Sequence, residues 1–172
     1  MQRLENCFGV KDNSHAEAQS RRERVRFVNL KTITGDIVDA AVQIHKTFGP
    51  GLLESVYELI LEAGLKRRGH CVERQKDISF DYQGLHFENA FRLDMLVDES
   101  VILELKSAEK MSSVYAKQLK TYLVLTGKTV GLVLNFGLST MKEGVCRVVN
   151  GYEEDSPLCD SAALREASTQ TT

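Results

Sequence analysis

Residues 91–106, F-R-L-D-M-L-V-D-E-S-V-I-L-E-L-K, set two acids and a lysine into a stretch that otherwise reads as a pair of short apolar strands. The runs 91–97 and 101–106 have strand character, and the polar Asp98-Glu99-Ser100 between them reads as a turn. Side chains alternate along a strand, so Arg92, Asp94 and Leu96 are expected on one face and Leu93, Met95 and Val97 on the other. Glu104 and Lys106 likewise share a face opposite Leu103 and Leu105. A three-residue turn pairs Val97 with Val101 and sets Asp94 across from Glu104. Two facing carboxylates in a half-buried sheet repel, and a bound divalent cation is the simplest reason to keep them. Mg2+ takes carboxylate oxygens and waters. Lys106 beside it would serve a nucleophilic water or the charge that builds on a phosphate, the arrangement of a metal-dependent phosphodiesterase. An ion pair on a solvent face is the plainer alternative for the same residues.

The rest of the chain limits what this hairpin belongs to. A length of 172 residues suits a single domain with a real core. The formal net charge of −2 excludes steering by bulk charge, so any nucleic-acid contact would have to be local. Cys7, Cys71, Cys146 and Cys159 lie far apart with no C-x-x-C pair, which argues against a zinc site or a disulfide framework and for a reducing, cytoplasmic setting. No run approaches the ~20 apolar residues of a membrane span.

In order, residues 1–32 read as a polar, flexible extension carrying the basic run R-R-E-R-V-R at 21–26, and residues 151–172 as a disordered tail. The domain between them, 33–150, opens with a helix at 34–48, capped by Thr34 and ended by Gly49-Pro50-Gly51. A second helix spans 53–68, with Glu54 and Tyr57 near one another on its surface. Glu54 also suits the helix dipole of the first turn, its purely structural reading. Strands are expected at 71–75, 77–82, 85–87 and 90–97 before the second strand of the hairpin, with Gln83-Gly84 as a turn. A helix at 114–125 stacks Gln118 on Tyr122 and draws apolar contacts from Val114, Leu119, Leu123 and Leu125. The apolar run 129–136 reads as a strand buried on both faces, and 145–149 as an edge strand. The fold class is therefore α/β of the α+β type, a mixed central sheet flanked by helices in the order ααβββαβ.

The segment G-L-L-E-S-V-Y at 51–57 matches G-x-x-E-x-x-Y, and from about residue 33 to residue 150 the chain resembles the GxxExxY protein family. Gly49-Pro50-Gly51, Arg92-Leu93-Asp94, Glu104-Leu105-Lys106, Gln118 and Asn135-Phe136-Gly137 carry the resemblance with it. That family is similar to a branch of the PD-(D/E)XK nuclease superfamily. The resemblance implies a restriction-endonuclease-like core and a nuclease that hydrolyses DNA or RNA with Mg2+ or Mn2+. It implies Asp94 and Glu104 as metal ligands, Glu54 as the further acid from the early helix, and Lys106 as the residue that positions the attacking water. Gln118 and Tyr122 match a Q-x-x-x-Y pattern found near the nucleic acid or the metal shell, and His45 is a further candidate ligand beside its plainer role as a packed histidine. Leu93 replaces the proline of the superfamily's name, and Tyr115 stands where the family has a histidine. The alternative from another class is a non-catalytic module that keeps the fold and binds nucleic acid or protein. Oligomeric state is open, a homodimer included.

Overall fold

In the computed structural model the described residues are 14–151, with side chains from Leu30 onward. The chain runs α1 (Ser14–Phe48), α2 (Glu54–Arg67), β1 (Val72–Tyr82), β2 (Leu85–Val97), β3 (Val101–Lys106), α3 (Ser113–Thr126), β4 (Val130–Asn135), α4 (Met141–Gly144) and β5 (Val145–Val149). The strands form one sheet in the order β1-β2-β3-β4-β5. Every neighbouring pair is antiparallel except β3 and β4. A parallel pair needs a crossover, and α3 provides it. The result is the mixed, helix-flanked sheet of a restriction-endonuclease-like core, with α4 and β5 added after the order ααβββαβ.

Apolar residues divide the molecule into two layers on the sheet. Ile37, Ala41 and Ile44 of α1 and Tyr57, Leu61 and Leu65 of α2 pack on Met95, Val97, Leu103, Leu105, Leu132 and Leu134. Leu119 and Leu123 of α3 pack on Leu93, Leu96, Ile102 and Val133. Alternate residues of β4 feed opposite layers, and all six are buried, as its unbroken apolar run requires. No helix among the described residues is long and apolar enough to cross a membrane.

Several boundaries differ from the sequence reading, each for a local reason. The helix expected from 34 begins at Ser14, so Thr34 is not a cap. Its buried hydroxyl donates to the Leu30 carbonyl at 2.8 Å, a bond that lets threonine sit inside a helix. The residues proposed as breaks between short strands lie within long ones. Gln75 and Asn89 take φ values of 51° and 48°, and the β1–β2 register shifts between Ile78 and Phe80. Local left-handed residues bend β1 and β2 without ending them. Alternation also fails at one point: Leu93 packs with Leu96 in the α3 layer, whereas Met95 and Val97 enter the other. On α3, Val114 and Leu125 face solvent and only Leu119 and Leu123 are fully buried. Cys146 is disulfide-bonded, against the spacing argument. Residues 1–13 of the expected extension and residues 152–172 of the expected tail lie outside the described residues, whereas residues 14–32 belong to α1.

Candidate active site

The central hairpin closes as its turn length requires. Val97 pairs with Val101 and Met95 with Leu103, and the left-handed Asp98 and Glu99 make the turn. The ladder stops there, one step before Asp94 and Glu104 would face each other. Asp94 instead turns an oxygen, Oδ2, onto the Leu105 N–H at 2.8 Å and takes over a backbone bond of the missing step. Burial first, and then the charge of Glu104, push the Asp94 carboxyl up to about 6, against the opposing pull of the Leu105 N–H and Lys106. The repulsion inferred from sequence is therefore present.

Glu104 is almost completely buried, and its Oε1 lies 2.8 Å from Lys106 Nζ. Burial disfavours the lysine's charge, but the hydrogen bond and charge of Glu104, then Asp94 and Glu54, outweigh it and raise its pKa. The ammonium is also 5.7 Å from the centre of the Tyr115 ring on α3, within cation–π range.

Glu54 arrives from the opposite layer as the first residue of α2, and its Oε1 accepts the Ser107 N–H at 2.9 Å, just past the end of β3. The surrounding motif explains this placement. Tyr57, one turn along, donates its hydroxyl to the Gly49 carbonyl at 2.6 Å and accepts from the Leu52 N–H at 3.2 Å. Its ring stacks on Phe136 after β4, centroids 4.2 Å apart. Ser107 adds a hydroxyl bond to the Leu52 carbonyl. The glutamate and tyrosine of G-x-x-E-x-x-Y thus fasten the entry of α2 to the exit of β3. Tyr57→Phe leaves the Gly49 carbonyl and Leu52 N–H without this partner and is expected to cost about 1–3 kcal/mol. Urea unfolding against wild type measures it.

Asp94, Glu104, Lys106 and Glu54 therefore share one end of β3, linked by the interactions above. Gln118 and Tyr122 form a pair on α3, with Gln118 Nε2 donating to the tyrosine oxygen at 2.6 Å. His45 is not brought to the acids by any such bond: its Nε2 donates to the Leu138 carbonyl at 2.8 Å, and its ring lines a cavity with Val38, Val42, Met141 and Val145. Among the described residues no three His, Cys, Asp or Glu side chains stand as a ready metal cage. The donor chemistry nevertheless suits a hard cation. Asp94, Glu104 and Glu54 each have one oxygen engaged by an N–H or ammonium of the protein itself.

Glu58 is not singled out by the sequence reading, and Asn135 enters it only within a motif, with no role of its own. Glu58 is buried on α2, paired with Arg74 at 3.0 Å and bonded to Gln75, and its charge also reaches Asp94. Its spacing of four from Glu54 is the signal that would have found it. Gln75 sits where the β1–β2 register faces Asp94, and its left-handed backbone is an uncommon conformation beside the acids. Asn135 is fully buried, and its amide bonds Ala108 N, Gly137 N, Ala108 O and Lys110 O, fixing the loop after β3.

A family model described as the PD-(D/E)XK nuclease superfamily matches residues 31–148. No curated protein and no solved structure matches the chain.

Proposed function

The chain belongs to the PD-(D/E)XK nuclease superfamily, and from that premise we propose that it is a divalent-metal-dependent phosphodiesterase acting on nucleic acid. The observation that carries the reading is the Asp94–Glu104–Lys106 cluster. A buried glutamate and an aspartate with its carboxyl raised to about 6 are kept together although they repel. A cation held between them would relieve that repulsion, and acids perturbed in this way cluster at functional sites. Asp94 and Glu104 would hold Mg2+ or Mn2+, with Glu54 as the third acid. When bound, the ion supplies a water of lowered pKa and neutralises charge on the phosphate.

The remaining steps belong to the chain's own groups. Lys106, kept charged by three carboxylates, donates toward the attacking water or a non-bridging phosphate oxygen. Tyr115 confines the ammonium from the α3 side. The Gln118–Tyr122 pair orients the strand beside the acids. The match of G-x-x-E-x-x-Y to the α2 fastening supports assignment to the GxxExxY branch. A non-catalytic module on the same fold, binding nucleic acid or protein, is the second reading, favoured by a net charge of −2 that gives no general grip on a phosphate backbone.

The test is cleavage of labelled single-stranded DNA, duplex DNA and RNA in Mg2+, Mn2+ or EDTA. Wild type is expected to cut in metal alone, and Glu104→Ala to lose at least about a hundredfold while remaining folded. Equal cutting by both proteins, or none by either, would reject the phosphodiesterase.

A further inference from the structure

The outer half of the β1–β2 hairpin has two unlike faces. One carries Ile78, Phe80 and Tyr82 across from Phe91, Phe87 and Leu85. The other carries polar groups bonded among themselves: Asp77 holds Arg92 at 2.7 Å, Asp81 holds His86 at 2.8 Å, and the Asn89 N–H reaches Ser79. The apolar face is open at its tip, where Tyr82, Leu85 and Phe87 are 60%, 63% and 39% exposed. Its rings form an ordered row. Phe87 stacks on Phe80 with centroids 5.0 Å apart, Phe80 on Phe91 at 6.0 Å, and Phe91 on Tyr122 at 4.9 Å.

The inner end of this row reaches α3, the helix that also borders the candidate active site. Tyr122 is bonded to Gln118, and Tyr115 on the same helix covers Lys106. Phe91 stands three residues before Asp94 on β2. Row and acids therefore both border α3. An occupant that uses both must present flat π surfaces along the arm and a phosphodiester at the acids. Single-stranded nucleic acid does so, whereas a duplex hides its base faces in its own stack. The charge balance agrees. A duplex is gripped mainly through its phosphates, yet Arg92 on this arm is already paired with Asp77 and the chain is net −2. Stacking asks for fewer cations.

We propose that the open Phe87 end of the Phe87–Phe80–Phe91–Tyr122 stack is a platform that receives bases and so guides single-stranded nucleic acid toward the acid centre, an inference resting on the phosphodiesterase reading of that centre. Fluorescence anisotropy in EDTA, which prevents cutting, tests it with labelled oligothymidylate, an abasic strand of equal length and a blunt duplex. Oligothymidylate is expected to bind at least about tenfold more tightly than either competitor, with only a shallow salt dependence. Phe87→Leu keeps apolar area but loses the ring and should weaken binding roughly five- to hundredfold, while Phe87→Trp preserves it. Melting curves establish that both variants fold. Equal affinity for the abasic strand, or an unchanged Phe87→Leu, overturns the proposal. So does a dimer in light scattering that Phe87→Leu dissolves, since the row would then be a self-association surface. Hydrolysis of bis(p-nitrophenyl) phosphate, a diester without bases, separates the two readings. If wild type and Phe87→Leu hydrolyse it equally, an absence of base preference in wild-type binding tells against the platform alone. If neither hydrolyses it while base-dependent binding persists, the platform stands and the phosphodiesterase reading falls.

Discussion

Asp94→Asn is expected to raise the melting temperature of the metal-free protein at pH 7.5 and to abolish metal-dependent cleavage. Burial and Glu104 hold this carboxyl at about 6 in the folded chain, above its ordinary value near 3.9 in the unfolded chain. Below about pH 3.9 the group is protonated in both states and exacts no penalty. As pH rises from there, the unfolded chain ionises first and the folded state loses stability relative to it. The loss is complete once pH passes about 6. Asparagine keeps an oxygen for the Leu105 N–H and carries no charge. Discounted for the partial exposure of Asp94, the gain is about 1 kcal/mol, or 2–4 °C for a chain of this size. It should shrink toward zero at pH 4. Cleavage should fall by about 10² to 10³-fold or more, since the same carboxylate is the proposed ligand. Thermal scans in EDTA at both pH values, with parallel assays in Mn2+, check both halves. A variant less stable than wild type at pH 7.5 would mean that Asp94 is a structural ion-pair partner.

The largest loss of stability is expected from Asn135→Ala. The fully buried amide accepts from Ala108 N at 2.9 Å and Gly137 N at 3.1 Å, and donates to Ala108 O at 3.0 Å. Alanine leaves these backbone groups unbonded at about 1–3 kcal/mol each if none is re-solvated. A net cost of about 3–5 kcal/mol, near 10 °C, is the expected outcome. The loop cannot close up to compensate, because Gly137 already packs so tightly that a Cβ there would lie 2.5 Å from the Ala108 carbonyl oxygen. Activity should fall with stability although no acid is touched, because the same loop begins at Ser107, which holds Glu54. Urea unfolding and single-turnover cleavage measure the two effects. An Asn135→Ala protein as stable as wild type would show that water replaces the amide.

Much of this was legible in the sequence because it depends on short-range chemistry. The hairpin follows from its turn length, so Val97 met Val101 as the spacing required. The buried character of β4 follows from an unbroken apolar run, and β5 falls on the residues expected. What escaped depends on partners distant in the chain. Nothing local at Leu93 says that it packs under α3, away from Met95. Glu58 resembles any helix-surface glutamate until Arg74 and Gln75 close over it from β1. The same holds for His45, whose helical position is compatible with a ligand until the Leu138 carbonyl takes its Nε2. Thr34 shows the limit of cap rules, since one hydroxyl suits a helix start and a helix interior alike.

Calorimetric titration of Mn2+ into the purified protein tests most directly whether the acids hold a divalent ion. At pH 7.5 a single saturable class of binding is expected, lost in Asp94→Asn. At pH 5.5 it should weaken roughly fourfold, the ratio of ionised fractions for a carboxyl titrating at about 6. Binding that is absent at millimolar Mn2+, or that survives Asp94→Asn unchanged, would contradict the central claim.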